Sequence, residues 1–282
     1  MNYRHAFHAG NFADVVKHAL LARIIVYLRA KPAAFRVIDT HAGAGLYDLA
    51  GPEASRSLEW RAGIGRLFGN PIPDAVRPLL APYLDVIASL NPEGRLAIYP
   101  GSPALARAWL RPQDRLIACE IEPSALAALG RNIGRDRRVR VVPMDGWMAL
   151  KAYVPPIERR GLIIIDPPFE DDGDFTRLGR GLEAAHRKWP GGIYGLWYPV
   201  KGRRGPDALA RALKHSGIGK ILRIELSVGA AVGEGPLGGC GLIVVNPPWT
   251  LEGELAAMLP ALQSILANEA GSHRLDWLAS ER

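Results

Sequence analysis

The sequence predicts an α/β protein built on a doubly wound, mostly parallel sheet of seven strands, with an antiparallel pair at one edge and a small helical insertion. Three observations carry this prediction. Short apolar runs rich in Val, Ile and Leu alternate with helical patterns, the rhythm of βαβ units. Four of those runs lead into an acid at or just past the strand end: Asp39, Glu120, Asp145 and Asp166. One segment, 51–98, breaks the rhythm with two helical patterns, near 54–68 and 74–90, split by Asn70-Pro71-Ile72-Pro73. At 282 residues the chain is long enough for one large domain carrying such an insertion.

Residues 11–30 read as a helix. Asn11 suits the N-cap, Asp14 the first turn and Lys31 the C-terminal end, and Pro32 stops the pattern. Phe35 to Asp39 is the first strand. It runs into Thr40-His41-Ala42-Gly43-Ala44-Gly45, a Gly-x-Gly turn that lets backbone approach a ligand. Position 48 is Asp, where a dinucleotide fingerprint would have its third glycine, which weakens a nicotinamide dehydrogenase reading. Asp39 beside the turn disfavours a phosphate and favours a nucleoside-type ligand carrying positive charge. Tyr99-Pro100-Gly101-Ser102-Pro103 turns the chain back after the insertion, with Ser102 placed as the N-cap of a helix over 103–110.

The alternation then resumes. Arg115 to Glu120 is the second strand. With the 48 residues of the insertion set aside, Glu120 lies 27 positions after Gly45, close to the roughly 20 expected for an acid that holds ribose hydroxyls. Val139 to Pro143 is the third strand, with Asp145-Gly146 just past it. Gly161 to Ile165 is the fourth, ending in Asp166-Pro167-Pro168-Phe169. Ile193 to Tyr198 is the fifth. Lys220 to Val228 and Cys240 to Asn246 form the final pair, joined by the glycine-rich 229–239, and 251–267 is a closing helix.

Composition bounds the function. There is no run of about 18 apolar residues for a membrane span, and the opening Met1 to His5 has no signal-peptide pattern, so a cytoplasmic protein is expected. Cys119 and Cys240 lack CxxC spacing and sit in strand-like runs, which favours buried thiols over a disulfide or a metal site. Thirty-five Lys and Arg against 28 Asp and Glu leave +7. Residues 1–38 hold Arg4, Lys17, Arg23, Arg29, Lys31 and Arg36 against Asp14 alone, a hint of a polyanion partner. A solvated helix face explains the same charge on its own. The insertion carries five bases and five acids and gives no charge argument for nucleic acid.

The turn at 166–169 carries the chemistry. An exocyclic amine on an adenine is a poor nucleophile because its lone pair is delocalised into the ring. The Asp166 carboxylate and the Pro167 carbonyl are rigid acceptors for its two N–H bonds and would free that lone pair. Phe169 can stack on the base. The step would be an in-line displacement on a sulfonium methyl, with Asp166 available for the amine proton. The base must be unpaired or flipped out. Asn246-Pro247-Pro248-Trp249 resembles this turn, but it follows a strand expected at the sheet edge and precedes a helix. It is read as a strand stop and helix start.

Gly-x-Gly after Asp39, with Asp166-Pro167-Pro168-Phe169, resembles the amino methyltransferases that use S-adenosylmethionine. The stretch from Tyr3 to His18, Asp39 to Gly45, Tyr99 to Pro103 and Asp166 to Glu170 together resemble the RlmJ family of bacterial 23S ribosomal RNA adenine-N6 methyltransferases, over essentially the whole chain. The resemblance implies a Rossmann-like class I S-adenosylmethionine-dependent methyltransferase, with 1–50 and 99–282 as the methyltransferase domain and 51–98 as a helical subdomain. It implies cofactor contacts at His18, His41, Gly43, Ser102, Glu120, Asp145, Gly146 and Asp166, catalysis by Asp166 with Pro167 and Phe169, and RNA contacts at Tyr3, His5 and Lys17. Residues 1–32 would lie over the site. The substrate would be 23S ribosomal RNA, free or in an early assembly intermediate, with no metal, no membrane and no required oligomer. Lys201, Arg203, Arg204, Arg131, Arg135, Arg137 and Arg138 are further candidates for phosphate contacts. Taken without the resemblance, His18 and His41 read as packed core histidines. A DNA adenine-N6 methyltransferase and a catalytically silent RNA-binding or ribosome-assembly protein are the rival readings. The first lacks a recognisable DNA-reading segment, and the intact turn at Asp166 argues against the second.

Overall fold

The computed structural model describes residues 4–171, 173–229 and 237–280. A 3-10 turn over His5–Phe7 leads into α1 (Phe12–Arg29), β1 (Arg36–Asp39) and β2 (Leu46–Asp48). The inserted segment follows as α2 (Pro52–Ser57), α3 (Glu59–Ala62), α4 (Ile64–Gly69) and α5 (Arg77–Leu90), closed by β3 (Ile98–Pro100). The alternation continues with α6 (Ser102–Trp109), β4 (Arg115–Glu120), α7 (Pro123–Ile133), β5 (Val139–Pro143), α8 (Gly146–Tyr153), β6 (Gly161–Ile165), α9 (Asp174–Lys188) and β7 (Ile193–Pro199). The chain ends with α10 (Arg204–His215), β8 (Ile221–Ser227), β9 (Gly239–Val245), α11 (Leu251–Leu266) and β10 (Ser272–Ala279).

Eight strands form the main sheet, in the order β10-β8-β9-β7-β6-β1-β4-β5. From β7 to β5 every neighbouring pair is parallel. Strand residues alternate between two buried clusters, as a sheet covered on both faces requires. Leu162 and Ile164 of β6 join the cluster under α1, α5, α6 and α11, while Ile163 and Ile165 join the one under α8, α9 and α10. The central strands are therefore apolar on both sides, and their polar residues are left for the strand ends.

All seven expected strands are present, and two expectations need correction. The antiparallel pair is not at the edge. β9 pairs with β7 on one side and β8 on the other, so β9 is interior and runs opposite to β6 and β7. An eighth strand, β10, covers β8. Its sequence, Ser272 to Ala279, is half exposed and has only a short apolar stretch at its end, so cross-strand partners help to hold it. Arg223 on β8 makes a two-pronged contact with Asp276 on β10, at 2.9 and 2.7 Å. The inserted helices lie between β2 and β3, which pair antiparallel. Leu80, Tyr83 and Ile87 of α5 bury against the same cluster as Leu20, Leu21, Ile24 and Ile25 of α1. The insertion thus extends the core over α1.

Candidate active site

The parallel run β6-β1-β4-β5 brings four acid-bearing strand ends to one edge of the sheet. Glu120, Asp145 and Asp166 line a cavity of about 360 Å3 there, and Asp39 lies fully buried beside it. Carboxyl ends of parallel strands are where open α/β sheets bind ligands.

The Gly-x-Gly turn is tied to β4. Glu120 Oε2 accepts the Gly43 N–H at 2.8 Å, and Oε1 accepts those of Ile121 and Glu122, each at 2.8 Å. Three backbone donors therefore fix one carboxylate. Gly43 has φ +62°, and a Cβ there would sit 2.3 Å from the Tyr47 hydroxyl, so any side chain would strain the turn and displace Tyr47. On β5's side, Asp145 caps α8 as Oδ1 accepts the N–H groups of Trp147 and Met148, both at 3.0 Å. Its Oδ2 makes no hydrogen bond among the described residues. A Cβ on Gly146 would strike His41 Cε1 at 2.4 Å and the Thr40 carbonyl at 2.5 Å, so glycine is what lets His41 lie against the start of α8.

Around β1 and β6 the site is dense with buried polar groups. The Ser102 hydroxyl donates to Asp39 Oδ2 at 2.6 Å. This corrects the capping expectation: α6 begins at Ser102 itself, its N-cap is Gly101, and no side chain caps it. Burial pushes the Asp39 carboxyl up to about 6, against the pull of the Ser102 hydrogen bond. Burial holds His41 down to about 4, although Asp166 and Asp145 draw it upward. His18 is 0% exposed, bonds through Nδ1 to the Tyr99 hydroxyl at 2.8 Å, and leaves Nε2 without a partner among the described residues.

Asp166 is tied to the N-terminal helix. Lys17 Nζ lies 2.6 Å from Asp166 Oδ2 and 2.8 Å from Asp14 Oδ1, and its side chain is only 8% exposed. Asp14 also accepts the Gly10 N–H at 2.9 Å and lies 3.0 Å from His5 Nε2. Burial opposes both charges, yet the two carboxylates hold the Lys17 ammonium well above its usual range, and Lys17 with His5 hold Asp14 well below. A chain of charge thus runs from the N-terminal turn through Asp14 and Lys17 to Asp166. The Lys17 ammonium is turned inward onto Asp166, not outward to solvent.

Every described residue expected to hold the cofactor, catalyse or contact RNA at the site lines the cavity except Phe169, while the seven basic residues expected to meet phosphates lie away from it. Phe169 has φ +51°, a left-handed backbone rarely adopted by aromatic residues, and its ring packs on Phe175 at 4.9 Å and Trp197 at 5.8 Å. It faces the core between α9 and β7 and does not stand over the cavity. Tyr3 lies outside the described residues. Among the cavity residues that had no place in the sequence reading are Tyr47, Trp147 and Arg177. The Arg177 guanidinium sits 4.8 Å over the Trp147 ring, whose edge meets His41 at 5.7 Å. Trp147 directly follows Asp145-Gly146, a signal available in the sequence. Arg177 comes from a surface-patterned helix and gave none.

Much of the basic surplus of residues 1–38 is answered by acids distant in sequence. Arg4 pairs with Glu53, Arg23 with Glu254, Arg36 with Glu158, and Lys17 with Asp14 and Asp166. Arg203 pairs with Asp207 and Glu225, and Arg138 with Asp136. Lys201, Arg204, Arg131, Arg135 and Arg137 are exposed. Among the described residues, no group of His, Cys, Asp and Glu is arranged to hold a metal ion, and both cysteines are buried and unbridged.

The cavity fits a positively charged nucleoside. Acids stand at the β4 and β5 ends, glycines leave room at 43 and 146, and His18, which also lines the cavity, has an orphaned Nε2. Comparison with known proteins agrees. The family described as Ribosomal RNA large subunit methyltransferase D, RlmJ, matches residues 32–279. The chain is 41% identical to Ribosomal RNA large subunit methyltransferase J of Escherichia coli (strain K12), over all of both chains. It is 38% identical to the protein of the same description in Haemophilus influenzae, again over all of both. A crystal structure of a Legionella pneumophila protein superposes with a TM-score of 0.88 at 34% identity, covering 96% of this chain and 98% of that one.

Proposed function

The chain belongs to the RlmJ family of ribosomal RNA large subunit methyltransferases, and on that premise we propose that it methylates N6 of one adenine in 23S ribosomal RNA. It is an S-adenosylmethionine-dependent enzyme with a Rossmann-like class I fold. The observation that carries the proposal is the placement of Asp166 and Pro167 at the end of the central strand, on the wall of the cavity that Glu120 and Asp145 also line.

The cofactor supplies a sulfonium methyl when bound; the chain's own residues do the rest. Glu120, held by three N–H donors, has lone pairs left for ribose hydroxyls. Asp145 Oδ2 is available for the adenine amine of the cofactor, with the Gly146 N–H beside it at the start of α8. Asp166 and the Pro167 carbonyl accept the two N–H bonds of the target amine, which restores nucleophilic character to its nitrogen. Lys17 fixes the Asp166 carboxylate and balances its charge until the amine proton arrives. Since the reacting nitrogen must reach the cavity wall, the target base is unstacked from its RNA neighbours.

Arg4 and His5, on the cavity wall, form the RNA-facing side in this reading, and Lys17 acts behind them through Asp166. Phe169 enters by bracing the turn from below, and a stacking role would require its ring to swing out of its contacts with Phe175 and Trp197. The substrate is 23S ribosomal RNA before it is sealed into the mature subunit, and the site of action is the cytoplasm. No helix among the described residues is long and apolar enough to cross a membrane. The test is transfer of a labelled methyl group to unmodified 23S RNA by the wild-type protein and by Asp166→Asn. Label on adenine N6 with the wild type and none with the variant is expected; label on duplex DNA in preference to RNA would favour the rival substrate.

A further inference from the structure

Tyr83 of α5 and Tyr99 of β3 are both fully buried, and neither lines the cavity. Their hydroxyl oxygens lie 2.9 Å apart, and the Tyr99 oxygen lies 2.8 Å from His18 Nδ1. His18 does line the cavity, and its Nε2 is buried without a partner among the described residues. Among the described residues, the Tyr83 hydroxyl bonds to Tyr99 alone.

Each hydroxyl has one proton to place, so the relay has two through-running polarities; a third arrangement, with Tyr83 and His18 Nδ1–H both donating to Tyr99, strands the Tyr99 proton. In one, Tyr83 donates to Tyr99 and Tyr99 donates to His18 Nδ1, which puts the imidazole proton on Nε2. In the other, His18 Nδ1–H donates to Tyr99 and Tyr99 to Tyr83, which strands the Tyr83 proton in the core. A stranded buried donor costs about 1–3 kcal/mol. The first polarity leaves one group unpaired, the Nε2–H; the second leaves both the Tyr83 O–H and the Nε2 lone pair.

We propose that Tyr99 sets His18 as its Nε2–H tautomer, and that this N–H is the donor for the carboxylate of the cofactor's methionine moiety. The assignment of ligand group follows from the layout. Glu120 and Asp145 claim the nucleoside at the β4 and β5 ends, so the amino-acid end lies toward β1 and β6. There Asp39 and Asp166 suit an ammonium, the Lys17 ammonium is already shared by two carboxylates, and His18 is the donor left for a carboxylate. Protonation states agree. Burial holds His18 down to about 3, so the ring is neutral, and burial pushes Tyr83 and Tyr99 well above the usual phenol range, so both keep a proton to give. Tyr99, on the strand that closes the inserted segment, would then take part in cofactor binding as a positioning residue without touching the cavity.

This inference rests on the cofactor reading above, and its test separates the two. Nitrogen-15 NMR of histidine-labelled, ligand-free wild-type protein reads the tautomer directly; Nε2–H is expected at His18, and an Nδ1–H tautomer overturns the proposal whatever the ligand does. Calorimetry then compares S-adenosylhomocysteine, which has the carboxylate, with 5′-methylthioadenosine, which lacks it. Tyr99→Phe should weaken the first about tenfold, as loss of support for a hydrogen bond to a charged group requires, and leave the second within about twofold. Tyr83→Phe leaves Tyr99 with only His18 as acceptor, so tautomer and both affinities should hold. Equal weakening of both ligands by Tyr99→Phe would show a merely structural role and overturn the proposal. Failure of the wild type to bind S-adenosylhomocysteine would instead overturn the cofactor reading.

Discussion

Two turns in this chain are near copies in sequence, Asp166-Pro167-Pro168-Phe169 and Asn246-Pro247-Pro248-Trp249, and the sheet places them at opposite ends. β6 and β9 are two positions apart in the sheet, with β7 between them, parallel to β6 and antiparallel to β9. The first turn therefore opens at the edge where β1, β4 and β5 end. The second lies where β7 begins, with Tyr194 opposite Val245 in the register. Asn246 Nδ2 donates to the carbonyls of Pro190 and Gly192, both at 2.7 Å, and so stitches the chain just before β7. Trp249 is 82% exposed. Four letters thus become a cavity wall at one end and a clasp at the other. What decides between them is strand direction, together with the long-range partners that direction brings within reach.

The largest separation between the two turns should come from their first residues. Asp166→Asn is expected to lower methyl transfer by about 10²–10⁴-fold with the fold intact by circular dichroism. Asn246→Ala should leave the rate per folded molecule unchanged while lowering stability by about 1–3 kcal/mol in denaturant unfolding, since it strands two carbonyl acceptors. It also places alanine at φ +52°. A rate collapse in Asn246→Ala, at preserved stability, would show that the clasp reading is wrong.

Lys17→Met probes the same contrast from the side of the partner. It leaves Asp14 and Asp166 facing each other without their shared cation, and breaking such a buried pair costs about 3–5 kcal/mol. Both stability and methyl transfer should fall, and Asp14→Asn should recover part of the stability. No comparable ion pair supports Asn246 among the described residues.

How much of this was legible in the sequence depends on range. The seven strand segments, the Asn11 cap and the four acids were readable because each is a local pattern of apolar runs and punctuation. The direction of β9 was not, because antiparallel entry between β7 and β8 is a choice of partner that no local pattern encodes. β10 was missed for a related reason: Ser272 to Ala279 mixes charged and apolar residues with no sustained alternation, and Arg223 and Asp276 that fasten it lie 53 positions apart. Within the site, Lys17 was expected to meet RNA, and α1 instead brings it across 149 positions to Asp166. Ser102 looked like a cap until Asp39 claimed its hydroxyl. The Phe169 ring had an aromatic's stacking promise, and the left-handed backbone at 169 turned it inward.

A smaller effect separates the two ends by pH. His41 and His18 have folded pKa values below the usual 6.5, so the unfolded chain takes up protons first as pH falls. Their stabilising contribution is complete above about pH 6.5 and is lost as pH drops toward about 4 for His41 and about 3 for His18. Asp39 acts in the opposite sense, because a carboxyl raised to about 6 favours the folded state as pH falls toward its usual 3.8. Denaturation midpoints between pH 4 and 7 should fall less steeply in His41→Gln than in wild type, and more steeply in Asp39→Asn. Asn246→Ala should shift every midpoint without changing the slope.

The central claim, that the turn at 166 and not its copy at 246 performs chemistry on an adenine amine, is tested most directly by locating the transferred methyl. Unmodified 23S RNA would be incubated with methyl-labelled S-adenosylmethionine and either wild type, Asp166→Asn or Asn246→Ala, then digested and analysed by mass spectrometry. The account predicts N6-methyladenosine at a single position with wild type and with Asn246→Ala, and none with Asp166→Asn. Methylation that survives in Asp166→Asn, or a label on a ring carbon or a ribose hydroxyl, would contradict it.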